Sequence, residues 1–194
     1  NTPPRGCIAD WVEEYHPVVR GEALTVATLP GVFSYGRLDD GTRLLLECLV
    51  VPEAAPRVLD VGCGSGIIGL AVKRWCPGAA VDMVDISAYA LEATRRTLER
   101  NGLSGVTVFP SDVFSTVTGR YSLIVSNPPF HSGVRTDYTA AEAFLRCARE
   151  RLEPGGTVVV VTNRFLPYLP LIERHIGPPH VLAEDNRYRV VRAG

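Results

Sequence analysis

Asp60, Asp85, Asp112 and Asn127, together with three glycines at alternate positions, are the residues of this 194-residue chain whose types and spacing can do chemistry. In Arg57-Val58-Leu59-Asp60-Val61-Gly62-Cys63-Gly64-Ser65-Gly66-Ile67-Ile68-Gly69-Leu70, an apolar run ends in Asp60, the glycines follow, and an apolar segment of helical character resumes. The order reads as strand, tight turn and helix start. Glycine is needed where a backbone bends sharply and lets a ligand approach without a Cβ in the way. At a helix N-terminus such a turn suits a nucleotide-like ligand; a merely glycine-rich βα turn is the alternative. Asp85 lies 19 residues beyond Gly66, where an acid accepts hydrogen bonds from both ribose hydroxyls, and its neighbour Ile86 belongs to the same candidate site. Asp112 can accept from an adenine amino group, with Val113 or Phe114 against the ring, or can be a turn residue only.

Asn127-Pro128-Pro129-Phe130 suggests a second kind of chemistry. An exocyclic amine or amide nitrogen is a poor nucleophile, because its lone pair is delocalised into the adjoining π-system. Acceptors that hold both of its N–H groups fix the nitrogen in place and stabilise the positive charge that develops on it. The Asn127 side-chain oxygen and the Pro128 carbonyl can be those acceptors. The prolines remove donors and stiffen the turn, and Phe130 offers a face for stacking a planar group. A rigid Pro-Pro loop without chemistry is the alternative.

These residues need elements to position them. Residues 1–23 read as an irregular lead-in with one short helix, and residues 24–194 as a single domain. Residues 23–28 alternate as a strand. Residues 42–49 have helical periodicity, with Asp40 or Thr42 as the cap. Strands are expected at 57–60, 80–85, 106–109, 121–126 and 157–162. Helices are expected from the glycine turn to Trp75, from Ser87 to Arg100, over 139–152, and over 169–175. Pro154-Gly155-Gly156 reads as a turn, and residues 181–183 and 188–191 as a closing antiparallel pair. Strand and helix alternate, which predicts a doubly wound, mostly parallel α/β sheet with helices on both faces. Such sheets bind ligands beyond the carboxyl ends of their strands. Asp60, Asp85, Asp112 and Asn127 each fall at such an end.

Composition narrows the class. With 46% hydrophobic and 21% charged residues the chain is globular. No apolar run reaches membrane-spanning length, and the first residues lack the core of a signal peptide. The five cysteines are scattered and never spaced C-x-x-C, which favours reduced thiols and a cytoplasmic location. The four histidines show no metal-ligand spacing, so no metal is expected. A net charge of −1 denies the chain the general field of a nucleic-acid binder. Arg164, Arg174, Arg187, Arg189 and Arg192 do gather in the C-terminal third, either as a local basic face or as scattered surface residues.

The D-x-G-x-G-x-G turn resembles motif I of the class I S-adenosylmethionine (SAM) methyltransferases, and the N-P-P-F tetrapeptide resembles motif IV of those that modify nitrogen on planar groups. An NAD enzyme would share the strand-end acids, but not this glycine spacing or this tetrapeptide. Together with Leu29-Pro30-Gly31-Val32-Phe33-Ser34, Leu38-Asp39-Asp40-Gly41-Thr42, His131 and Asn163-Arg164-Phe165-Leu166-Pro167-Tyr168, these segments are similar to the catalytic domain of the ribosomal RNA guanine-N2 methyltransferases, over residues 24–193. The resemblance implies a Rossmann-like seven-stranded sheet with its last strand antiparallel. It implies SAM as methyl donor, S-adenosylhomocysteine as product and guanine N2 of ribosomal RNA as acceptor. Gly41 and Thr42 would lie near the methionine end of SAM, Phe33 would wall the pocket, and Asn163 and Arg164 would border the substrate. His131 lines the site in that reading. Two-domain members carry a second methyltransferase-like half ahead of the catalytic one, and this chain begins just ahead of the catalytic domain. Two rivals stay open: a small amine, amidine metabolite or protein glutamine as acceptor, and a non-catalytic SAM-fold module.

Overall fold

The computed structural model describes residues 8–52, 56–128 and 138–194. A short 3-10 turn at Ile8–Trp11 leads into four brief strands, β1 (Glu13–Tyr15), β2 (Val18–Val19), β3 (Glu22–Ala23) and β4 (Val26–Thr28). Helix α1 (Asp40–Cys48) follows, then β5 (Arg57–Val61), α2 (Ile67–Trp75), β6 (Ala80–Asp85), α3 (Ala88–Arg100), β7 (Val106–Pro110) and β8 (Tyr121–Ser126). The chain continues through α4 (Tyr138–Arg151), β9 (Leu152–Asn163), α5 (Tyr168–His175), β10 (His180–Glu184) and β11 (Tyr188–Ala193).

Seven strands form one sheet in the order β10-β11-β9-β8-β5-β6-β7. β5 through β9 run parallel, and β11 is antiparallel to both neighbours, β9 and β10. Strand residues alternate between two apolar layers, as a pleat of period two requires. Val58, Met83, Leu123, Val125, Val159 and Val161 face α1, α2 and α3. Leu59, Val61, Val84, Ile124, Val158 and Val160 face α4 and α5. Helices therefore cover both faces, as the alternation predicts.

Three local expectations are corrected. The lead-in is not irregular from residue 13 to 23, where β1, β2 and β3 form, and the strand expected over 23–28 is β4 alone from Val26; β1 pairs with β4, and β4 lies along α3, where Thr97 Oγ1 accepts from Ala27 N at 3.0 Å and Asn101 Nδ2 donates to Thr25 O at 2.6 Å. The cap of α1 is Asp39, whose carboxylate accepts from Thr42 N; Asp40 and Thr42 already belong to the helix. Pro154, Gly155 and Gly156 lie within β9 as an irregularity, because residues 153–156 face only Ser122 between the pairs Tyr121↔Leu152 and Leu123↔Thr157. The cap of α3 is Ser87, as expected, accepting from Ala90 N. Among the described residues no helix is long and apolar enough to cross a membrane, and no group of three His, Cys, Asp or Glu could hold a metal ion.

Candidate active site

Asp60 is the penultimate residue of β5, an interior strand of the sheet, and is fully buried. Its Oδ2 accepts from Gly69 N at 2.9 Å, inside the first turns of α2, and its Oδ1 is buried without a hydrogen-bond partner. Burial, with a smaller contribution from the nearby Asp85 charge, pushes its pKa up to about 7, against the stabilising Gly69 hydrogen bond. Asp60 therefore braces the turn against its helix from inside.

The glycines divide into two pairs. Gly62, Gly64 and Gly66 have φ of 71°, 57° and 82°, the left-handed region that side chains with a Cβ rarely adopt. A Cβ at Gly62 or Gly64 would meet no atom within 4 Å, so these two face open space. At Gly66 it would lie 3.0 Å from the Thr94 side chain, and at Gly69 2.6 Å from Met83 Cε. The first pair leaves room for a ligand; the second lets α2 approach α3 and β6. Gly62 N and Cys63 N both donate to Val84 O at 2.8 and 3.0 Å, and Thr94 Oγ1 donates to Gly64 O at 3.0 Å. Sequence reasoning missed Gly69 and Thr94, whose partners lie in other elements.

Asp85, at the end of β6, accepts from Gly64 N at 2.9 Å through Oδ2 and from Ser87 N at 2.9 Å through Oδ1. Each oxygen keeps a second lone pair, so the carboxylate both anchors the turn and can accept from a ligand. Ser111 N donates to Asp85 O, which brings the ends of β6 and β7 side by side. Ile86 and Val113, 70% and 42% exposed, stand at those two ends, and Asp112 is exposed next to Val113. Val113 has φ of 51°, a strained conformation for a β-branched residue. Phe114 is not available to a ligand ring: it is buried, with its ring centroid 5.3 Å from that of Phe144.

The cleft beside the glycine turn is lined by Tyr15, Phe33, Arg37, Asp39, Thr42, Gly62, Gly64, Ser65 and Asn127 among others. Asn127 and the buried Pro128 follow directly on β8, whose end is tied to β5 by Ser126 Oγ donating to Val61 O at 2.7 Å. Asn127 Nδ2 donates to Asp39 Oδ2 and to Thr42 Oγ1, both at 2.9 Å. Burial raises the Tyr15 phenol above the usual range, against a smaller opposing effect of the Ser65 side chain. Nothing in the lead-in's local pattern marked Tyr15; its β1 strand carries it to the cleft. Phe33 lines the cleft and is 62% exposed. A Cβ at Gly41 would lie 3.0 Å from Val161 Cγ1 and 3.2 Å from both Asp39 Oδ2 and Tyr188, so its small size seats α1 on the sheet next to the cleft.

At the end of β9, Asn163 Oδ1 accepts from Phe165 N at 2.9 Å, and Arg164 Nη1 donates to Asp185 O at 3.3 Å. Both side chains brace their own loop and the β10–β11 turn. Phe165, 76% exposed, is the large apolar residue this loop presents outward. Pro129, Phe130 and His131 lie outside the described residues.

Comparison with known proteins places this geometry. The chain is 48% identical over 179 residues to ribosomal RNA small subunit methyltransferase C of Pseudomonas aeruginosa, covering 91% of this chain and 52% of that protein. The same-named protein of Aliivibrio salmonicida is 42% identical over 192 residues, covering 99% of this chain and 56% of its own length. The chain thus spans about half the length of the curated relatives it matches. A solved structure, a T. thermophilus 16S rRNA N2 methyltransferase (RsmC) in complex with AdoMet and guanosine, superposes with a TM-score of 0.87 at 35% identity, covering 100% of this chain and 52% of that one. The model of the methyltransferase small domain matches residues 23–192, a span that runs through all seven strands of the sheet and the glycine turn between β5 and α2: this chain belongs to that family.

Proposed function

We propose that this domain transfers a methyl group from S-adenosyl-L-methionine to guanine N2 in small-subunit ribosomal RNA. The observation that carries the reading is that Asn127, at the end of β8, shares one cleft with the glycine turn at the end of β5. The similarity to a methyltransferase solved with AdoMet and guanosine supports the choice of donor and acceptor.

The residues present fit that donor. Gly62 and Gly64 leave open space where any other residue would place a Cβ. Asp85 has lone pairs for two ribose hydroxyls, and Ile86 and Val113 offer apolar surface beside it for a purine, with Asp112 as acceptor. S-adenosyl-L-methionine supplies an electrophilic methyl and leaves as S-adenosylhomocysteine. The chain's own contribution is orientation. The Asn127 amide oxygen and the Pro128 carbonyl accept from the two N–H groups of the guanine amine, fix its lone pair in line, and stabilise the charge that grows on it. Once methylated, the nitrogen is acidic enough to lose its proton to water, so no general base is required. Phe33 and the exposed Phe165 are the aromatic surfaces on the substrate side. The base must be unstacked to enter.

Incubation with labelled donor tests this against small ribosomal subunits, naked rRNA and a panel of small amines in parallel. Label is expected at guanine N2 of the RNA. Label confined to the amine panel would overturn the RNA acceptor, and donor binding without label anywhere would overturn the enzyme. Asn127→Ala is expected to keep donor affinity while lowering transfer about 100- to 1,000-fold; a collapse of donor affinity instead would assign Asn127 to the donor and not to the acceptor amine.

A further inference from the structure

We infer that Asp39 is a positioning residue that sets which face of the Asn127 amide meets the substrate. The inference rests on the proposed role of Asn127 and deepens it. Asp39 Oδ2 receives three donors: Thr42 N at 2.8 Å, Thr42 Oγ1 at 3.2 Å and Asn127 Nδ2 at 2.9 Å. Because the Thr42 hydroxyl spends its proton on Asp39, its oxygen is an acceptor toward Asn127, and Asn127 Nδ2 reaches it at 2.9 Å. The amide's two hydrogens are therefore both engaged, one on each partner. Reversing the amide would set its oxygen against the Asp39 carboxylate and a committed hydroxyl, acceptor against acceptor. The oxygen and nitrogen diverge from one carbon, so holding the nitrogen toward α1 holds the oxygen the other way.

An amide is ambiguous: turned over, it donates where it should accept, and a donor facing the guanine amine would repel it. The carboxylate 88 residues earlier in the chain resolves that ambiguity. It does so as the N-cap of α1, so the start of that helix, which borders the cleft, and the orientation of the acceptor are fixed by one oxygen atom. A neutral hydroxyl alone would accept a hydrogen bond without excluding the reversed amide.

The test separates capping from orientation. Asp39→Ser keeps a good N-cap but carries its oxygen one bond closer to the backbone, out of reach of Asn127. It is expected to lower kcat about 10- to 100-fold with the donor dissociation constant and Tm close to wild type. Asp39→Asn, whose amide oxygen can accept all three bonds, is expected to recover most of the loss. In an Asn127→Ala background, Asp39→Ser should add nothing further to kcat, because the residue it acts through is gone. An Asp39→Ser enzyme with wild-type kcat, or one whose loss multiplies fully with that of Asn127→Ala, would overturn the inference. Side-chain amide NMR reads the same point without turnover: the Asn127 NH2 protons should exchange slowly with water in the wild type and rapidly in Asp39→Ser. Should the wild-type chain transfer no methyl group, the proposed function fails, while unchanged exchange in Asp39→Ser would sink the positioning role on its own.

Discussion

A single buried carboxyl makes the clearest claim at the scale of one residue. Burial disfavours the charge of Asp60 and pushes its pKa up to about 7 in the fold, from about 4 in an unfolded chain. Between those values the folded protein binds more protons than the unfolded one. The contribution to stability is complete below about pH 4 and is lost as pH rises through about 7. Asp60→Asn keeps an acceptor for Gly69 N and removes the ionisation. Across melts from about pH 4.5 to 8, the wild type should lose stability relative to the variant by up to a few kcal/mol; parallel profiles would show that Asp60 does not titrate in that window. Asp60, Asp85 and Asn127 were all legible in the sequence, because each stands where an apolar run breaks at a strand end. Asp39 was not. The sequence pointed to Asp40 or Thr42 as the cap, and the partner that marks Asp39 instead, Asn127, follows a strand far along the chain. Phe114 misled for a related reason: an apolar ring after a strand suits a ligand or a core equally, and Phe144 decided for the core.

Elements divide the glycine turn into parts with different vulnerabilities. Gly69 lies in α2, with Met83 of β6 so close that a Cβ would be 2.6 Å from its Cε. Gly69→Ala should cost about 1–3 kcal/mol by overpacking, seen as a lower Tm, with the donor affinity of the folded fraction unchanged. A shorter side chain in Met83→Val should recover part of that loss. Gly64→Ala has no neighbour to strike, but its φ of 57° costs an alanine about 1–2 kcal/mol, and the new methyl enters the ligand's space. Its expected signature is the reverse, weakened donor binding beyond any change in Tm; intact binding would show that the cradle lies elsewhere. The boundaries of β6 and β8 were readable from short, mostly apolar runs between turn residues, as was α3 from Ser87 and Asn101-Gly102. β1, β2 and β3 were not readable, since two or three residues are too few to show a period of two. They exist because α3 and the neighbouring strands give them partners.

At the scale of the whole molecule, the sheet is closed from within. The antiparallel pair of β10 and β11 was legible from its turn, but its placement was not: β11 inserts between β9 and β10, pairing Tyr188–Ala193 with one and Arg189–Arg192 with the other. Removing residues 188–194 would strip both neighbours of their partner at once. The truncated chain should lose its cooperative melt and aggregate through the open edge of β9; a soluble two-state melt would show that the five parallel strands suffice. The same arrangement bears on how the protein is made. β11 is synthesised after every other strand it must join, 30 residues after Asn163 closes β9. At ordinary elongation rates of 5–20 residues per second that leaves an apolar, hydrogen-bond-hungry strand edge uncovered for roughly 2 to 6 s on the ribosome. A slow codon placed within β10 would lengthen that interval without altering one residue of the finished protein.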